Sequence, residues 1–143
     1  MGYLIDTNVL SESVKVLPDS NVLTWLNARL LSEVYVSVFT LAEIYKGIDR
    51  LPPSKRKSKL ADWYKNELLV GFDKHILPFD ESLISTWSSM LVALEKKGRP
   101  IPLIDAFIAA TAHHYNLTLV TRNLTDFKDC GIALLNPWDN TIY

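Results

Sequence analysis

The sequence predicts a single α/β domain, a central parallel β-sheet flanked by helices on both faces. Three observations carry this. Short apolar runs recur along the chain, helical patterns fill the intervals between them, and 143 residues suffice for one domain spanning 1–143. Strands covered on both faces read as continuous apolar runs rather than alternating ones, and these do.

Tyr3-Leu4-Ile5 is the first such run, ending in Asp6-Thr7-Asn8, three good turn or capping residues. A helix starts near Pro18-Asp19-Ser20 and carries Val22, Leu23, Leu26 and Leu30 as one stripe. Val34 to Val38, rich in β-branched and aromatic residues, predicts a second strand. Thr40-Leu41-Ala42-Glu43 then opens a helix that ends before Pro52-Pro53. Ser54 to about Leu69 is another, with Leu60, Trp63, Tyr64 and Leu68 at helical spacing. His75 to Phe79 is a short strand that Pro78 places near a sheet edge. Asp80-Glu81 begins a helix through Trp87 and Leu91, which Gly98 closes. Pro102 suits the first turn of the next helix, which runs to Tyr115. Leu117 to Val120 and Ile132 to Leu135 are the last two strands.

Composition narrows the function classes. Fifteen Lys and Arg against 16 Asp and Glu leave a net charge of −1, so no global basic field announces a polyanion. Cys130 stands alone, which excludes an internal disulfide and a cysteine zinc site. The longest nearly uncharged stretch, Ile101 to Ala112, is broken by Asp105 and falls short of the roughly 20 residues a membrane span needs. Met1 to Asp6 lack a basic region and a long apolar run, so no signal peptide and a cytoplasmic protein are expected.

In an open parallel sheet, ligands bind beyond the carboxyl ends of the strands. Four acids fall at the ends of elements on that side of the sheet. Asp6 follows the first strand, where it also suits a helix cap or an Asx-turn. Glu43 completes a formal Thr40-x-x-Glu43 capping box. Asp105 is the one charge in an otherwise apolar helix, and a lone buried carboxylate costs several kcal/mol, roughly, unless paired or bound to a cation. Asp126 follows the penultimate strand, where Arg122 offers it a partner. If the four converge, their mutual repulsion makes sense with divalent cations present, and oxygen-only donors favour Mg²⁺ or Mn²⁺. Spacing alone leaves open that they do not converge.

These residues also carry a resemblance. Leu4-Ile5-Asp6-Thr7-Asn8-Val9, Ser37-Val38-x-Thr40-Leu41-Ala42-Glu43-Ile44-x-x-Gly47, Gly98-Arg99-Pro100-Ile101-x-x-x-Asp105 with Ile108 to Ala112, and Leu119-Val120-Thr121-Arg122-Asn123-x-x-Asp126-Phe127 stand in order. They resemble the four motifs of PIN-domain ribonucleases, nearest to the VapC toxins of toxin–antitoxin pairs and their FitB-like branch. The resemblance places the family's acids on Asp6, Glu43, Asp105 and Asp126 and its polar helper on Thr121, with Asn8 and Asn123 nearby. It implies a Mg²⁺- or Mn²⁺-dependent endoribonuclease acting on single-stranded regions of structured RNA. Asp6 and Asp105 would hold the principal metal, Glu43 would position it or its water, and Asp126 with Thr121 would complete the shell or hold a second ion. It further implies a homodimer neutralised by a VapB-like antitoxin that presents an arginine to the acids.

Other chemistries fit less well. A haloacid-dehalogenase phosphatase needs a second aspartate where Asn8 stands, the glycines form no phosphate loop, and no histidine pairs with Ser11 or Ser37. A non-catalytic PIN-like RNA-binding or protein-docking domain is the alternative; losing an acid would be its mark, and all four are present. Lys46, Arg50, Lys55, Arg56, Lys57, Arg99 and Arg122 are candidates for phosphate contacts, against a solvated-face reading of the Lys55–Lys59 run. Two helices, Ser54–Leu69 and Asp80–Lys97, carry wide apolar stripes that suit a protein interface, unless Trp63, Tyr64, Leu68 and Trp87 all point into the monomer core.

Overall fold

In the computed structural model, which describes residues 2–143, the chain leads almost at once into a strand. Met1, part of the N-terminal run read above, lies outside the described residues. β1 (Tyr3–Ile5) ends at Asp6, whose carboxylate caps α1 (Thr7–Glu12) by accepting the Thr7 N–H at 2.8 Å. The turn formers Asp6-Thr7-Asn8 thus start a six-residue helix that the sequence pattern does not reveal. Asp19 caps α2 (Ser20–Asn27), which stops short of the predicted end and leaves Leu30 exposed.

β2 (Val34–Ser37) passes directly into α3 (Val38–Asp49), with the Ser37 hydroxyl accepting the Phe39 N–H at 3.1 Å. Val38 therefore opens the helix instead of closing the strand. Ser54 caps α4 (Lys55–Trp63), which runs on through one π turn, Tyr64–Leu68, into α5 (Leu69–Phe72). β3 (Ile76–Leu77) is shorter than predicted, with Pro78 just past it. Asp80 accepts from Ser82 at the start of the turn leading into α6 (Ile84–Lys96), and Gly98, at φ +67°, closes that helix as expected. α7 (Leu103–His114) begins one residue after Pro102, whose carbonyl accepts the Ala106 N–H. β4 (Thr118–Val120), the single-turn α8 (Leu124–Phe127) and β5 (Leu134–Asn136) follow. A final strand, β6 (Thr141–Ile142), goes beyond the predicted set; two residues carry too little pattern to register.

The six strands lie in the order β3-β2-β1-β4-β5-β6, all parallel except β6, which pairs antiparallel with β5. β3 is an edge strand, as Pro78 requires. β1 is flanked by β2 and β4, so the connections diverge on either side of it and leave a crevice at its carboxyl end. Successive side chains of each strand face opposite layers. Ile5 and Val120 join α1, α2 and α3 in one core, through Val9, Val22, Trp25, Leu41 and Ile44. Leu4, Leu119 and Leu134 join α6 and α7 in the other, through Leu94, Ile108 and Ala112.

The predicted surplus of aromatic surface is largely absorbed. Leu68 is buried, Trp63 and Tyr64 pack on the first core, and Trp87 stacks on Phe107 at 5.4 Å. The apolar side chains left outside are mostly aliphatic, including Val16, Leu17, Ile84 and Leu103, beside Tyr45, Tyr115 and Tyr143. Among the described residues, no helix is long and apolar enough to cross a membrane.

Candidate active site

The parallel register of β1 with β4 sets Ile5 beside Val120, so the next residues on each strand, Asp6 and Thr121, emerge together. The Asp6 N–H donates to the Val120 carbonyl at 2.9 Å and the Thr121 N–H to the Leu135 carbonyl at 2.9 Å, which extends the ladder through both positions. Asp6 is 5% exposed and Thr121 is fully buried. The Thr121 hydroxyl donates to Asp6 Oδ2 at 2.7 Å and accepts the Asn123 N–H at 3.1 Å. Asn8 Nδ2 lies 3.4 Å from Asp6 Oδ2 and 3.3 Å from Thr121 Oγ1, while Asn8 Oδ1 accepts the Arg122 N–H at 3.2 Å. Thr121 therefore spends its proton on orienting Asp6.

Glu43 differs from its expected setting. Because Ser37 caps α3, Glu43 sits in the second helical turn and makes no capping box with Thr40. Thr40 is buried inside the helix, its hydroxyl without a hydrogen-bond partner among the described residues. Glu43 is held instead by Thr7, whose hydroxyl donates to Oε1 at 2.6 Å. No spacing rule in the sequence links positions 36 apart; a hydroxyl between two site residues is the one signal the sequence offers.

Asp105 occupies the first turn of α7, as predicted, and is half-buried. No hydrogen bond or ion pair among the described residues involves its carboxylate. Burial pushes its pKa up to about 6, and the charges of Asp6, Glu43 and Asp126 push the same way. Asp6 is also raised, mainly by burial and further by Glu43 and Asp126, against the lowering effect of the Thr121 and Thr7 hydrogen bonds. Asp126 lies exposed in the single turn of α8. Arg122 does not pair with it; the guanidinium lies over the Trp138 ring, 4.9 Å from its centroid.

The four predicted acids thus share one electrostatic field, and among the described residues no cation lowers Asp105. Among the described residues, no three histidine, cysteine or acidic side chains are gathered into a ready-made metal group. Oxygen donors that repel one another, with Asp105 unpartnered, are nevertheless a set whose charge a hard divalent cation would balance. The buried acid Glu12, missed in the sequence, lies outside this set: it binds Lys15 at 2.8 Å and the Asp19 N–H at 2.9 Å and ties down the turn before α2.

The PIN-domain profile matches residues 3–131, which is most of the chain and contains all four acids. The chain belongs to the PIN-domain family. This PIN domain is 36% identical to Toxin FitB of Neisseria gonorrhoeae, over 94% of this chain and 97% of the relative. It is 32% identical to VapC ribonuclease Y4jK of Sinorhizobium fredii, over 95% of this chain and 97% of the relative. Among solved structures it superimposes on FitAcB from Neisseria gonorrhoeae with a TM-score of 0.91 at 35% identity, covering 95% and 98% of the two chains. VapBC2 from Rickettsia felis, solved with a DNA fragment from its promoter, gives a TM-score of 0.77 at 28% identity, covering 95% and 98%.

Proposed function

We propose that this PIN domain is a Mg²⁺- or Mn²⁺-dependent endoribonuclease and the toxin of a toxin–antitoxin pair. The observation that carries the reading is Asp105, a half-buried carboxylate with no partner among the described residues, under the charges of Asp6, Glu43 and Asp126. Asp6 and Asp105 would hold the principal cation, with Glu43 and Asp126 completing the acidic face. When bound, the cation supplies charge neutralisation at the phosphate and lowers the pKa of water.

The chain's own residues do the rest. Thr121 and the Thr7 N–H fix the Asp6 carboxylate, leaving its direction no freedom to drift. Thr7 fixes Glu43, which would receive a proton from an attacking water or orient it. Asn8 ties Thr121 to the Arg122 backbone, so the loop after β4 keeps its place as substrate arrives. RNA phosphodiester hydrolysis needs in-line attack on a phosphate with both flanking oxygens stabilised, and a converging acidic face that loads cations suits that task. The named activity of Y4jK supports the same substrate. The FitAcB and VapBC2 structures support pairing with a second protein. That partner would be a VapB-like antitoxin covering the acids with a basic segment, and the PIN domains would form a homodimer. The test is cleavage of single-stranded RNA by the purified chain with Mn²⁺ and with excess EDTA. Cleavage with Mn²⁺ alone is expected; equal cleavage in EDTA would remove the reading.

A further inference from the structure

We infer that Arg122, seated on Trp138, is the phosphate-binding cation of this site and sets the register of RNA across the acids. The inference rests on the ribonuclease reading above and goes beyond it in naming the residue pair that grips the strand.

Of the seven candidate cations two are already occupied, and of the other five Arg122 is the one that directly follows a residue bonded to Asp6. Lys57 Nζ donates to the Asp49 and Leu51 carbonyls at 3.1 and 3.0 Å, closing the end of α3. Arg99 meets Asp129 at 3.6 Å. Arg29, also stacked on aromatic rings, sits on Tyr3 and Trp25 at the opposite end of β1 from the acids. Arg122 is exposed and in neither of the two ion pairs among the described residues. It follows Thr121 directly, and its N–H is tied to the same Asn8 that borders Asp6. The nearby carboxylate of Glu12 feels its charge but is bound to Lys15 and Asp19.

Trp138 is itself a fixed platform. Its N–H donates to Asn136 Oδ1 at 2.9 Å, its carbonyl accepts Asn21 Nδ2 at 2.8 Å, and its ring packs on the first core. It lies past the carboxyl end of β5, two strands from β1 along the same sheet edge. The guanidinium lies over the indole ring, and no hydrogen bond or ion pair among the described residues engages its N–H donors. Such a group is pre-organised for an anion, because little rotamer freedom remains to be lost on binding. Trp138 sets the guanidinium past β5, two strands from β1 along the sheet edge, so it serves a phosphate flanking the one over the acids. The bound strand would run from the acids along the sheet edge toward β5.

The test is binding of a short oligouridylate to the full chain in EDTA, where no cleavage occurs, as a function of salt. For single strands each phosphate contact contributes about 0.7 to the salt slope. Arg122→Gln should weaken binding roughly threefold to tenfold at low salt and flatten the slope by about 0.7. Trp138→Leu, or Trp138→Phe if the leucine variant melts early, keeps the charge and should weaken binding with the slope unchanged. With RNA as substrate and Mn²⁺ present, Arg122→Gln should raise KM far more than it lowers kcat. Wild-type protein that binds RNA, with Arg122→Gln matching it in affinity and slope, overturns the inference alone. Wild-type protein that neither binds nor cleaves RNA overturns the ribonuclease reading and this inference with it.

Discussion

The hydroxyl of Thr7 donates a 2.6 Å hydrogen bond to Glu43 Oε1, joining the first helix to the third across 36 positions. A hydrogen bond to a charged group contributes about 1.5–3 kcal/mol, and each 1.4 kcal/mol is about a factor of ten in rate. Thr7→Val keeps the shape and removes the donor. Its RNA cleavage per folded molecule should fall roughly tenfold to a hundredfold, while Thr7→Ser should retain most of it. Single-turnover rates on one RNA substrate check both.

The raised pKa of Asp105 makes stability depend on pH in a stated direction. Its folded value, about 6, lies above its ordinary 3.8, so the folded chain binds protons more readily than the unfolded one between these values. The resulting stabilisation is complete below about pH 4 and is lost as pH rises through about 6. Metal-free protein should therefore lose stability across that window, and Asp105→Asn should flatten the loss. Thermal melting from about pH 4.5 to 7.5 at fixed ionic strength, with EDTA present, reads it. An unchanged slope in the variant would assign the dependence to other groups.

Lys57 is expected to serve the fold rather than RNA. Its ammonium bridges the Asp49 and Leu51 carbonyls at the carboxyl end of α3, where positive charge is favourable. Lys57→Ala should destabilise the protein by about 0.5–1.5 kcal/mol and leave the salt slope of RNA binding unchanged. Chemical denaturation and the binding titration check the two halves separately.

The assembly is open to a direct check. A homodimer is expected, and sedimentation at tens of micromolar should show no monomer. A synthetic arginine-bearing peptide that mimics a basic antitoxin segment should inhibit cleavage in competition with Mn²⁺, because guanidinium and cation neutralise the same acids. Inhibition indifferent to Mn²⁺ concentration would place the peptide elsewhere.

Much of this is legible in the residues. Strands buried on both faces show as apolar runs, so β1, β2 and β4 stand out and the acids after them can be named. Asp105 announces itself as a lone charge in an apolar helix, and the structure leaves it unpartnered. What the sequence conceals is mostly short or non-local. α1 and β6 are too brief to carry a period, and Val38 looks like strand yet begins a helix because Ser37 caps it. Thr40-x-x-Glu43 has the form of a capping box but lies inside α3, since any serine or threonine upstream can take the cap. Arg122 stands near Asp126 in sequence and stacks on Trp138, a partner that only the sheet edge brings within reach.

The most direct test of the central claim is to replace Asp6 and Asp105 singly by asparagine and measure RNA cleavage together with the Mn²⁺-induced shift in melting temperature. Each substitution keeps the side chain's shape and removes one charge from a mutually repelling set. Both variants should fold, and Asp105→Asn should melt a few degrees higher than wild type in EDTA, about 2–4 °C for each kcal/mol of relieved repulsion. Both should lose most of the Mn²⁺ shift and nearly all cleavage. Folded Asp6→Asn and Asp105→Asn proteins that cleave RNA at the wild-type rate and keep the full Mn²⁺ shift would contradict the account.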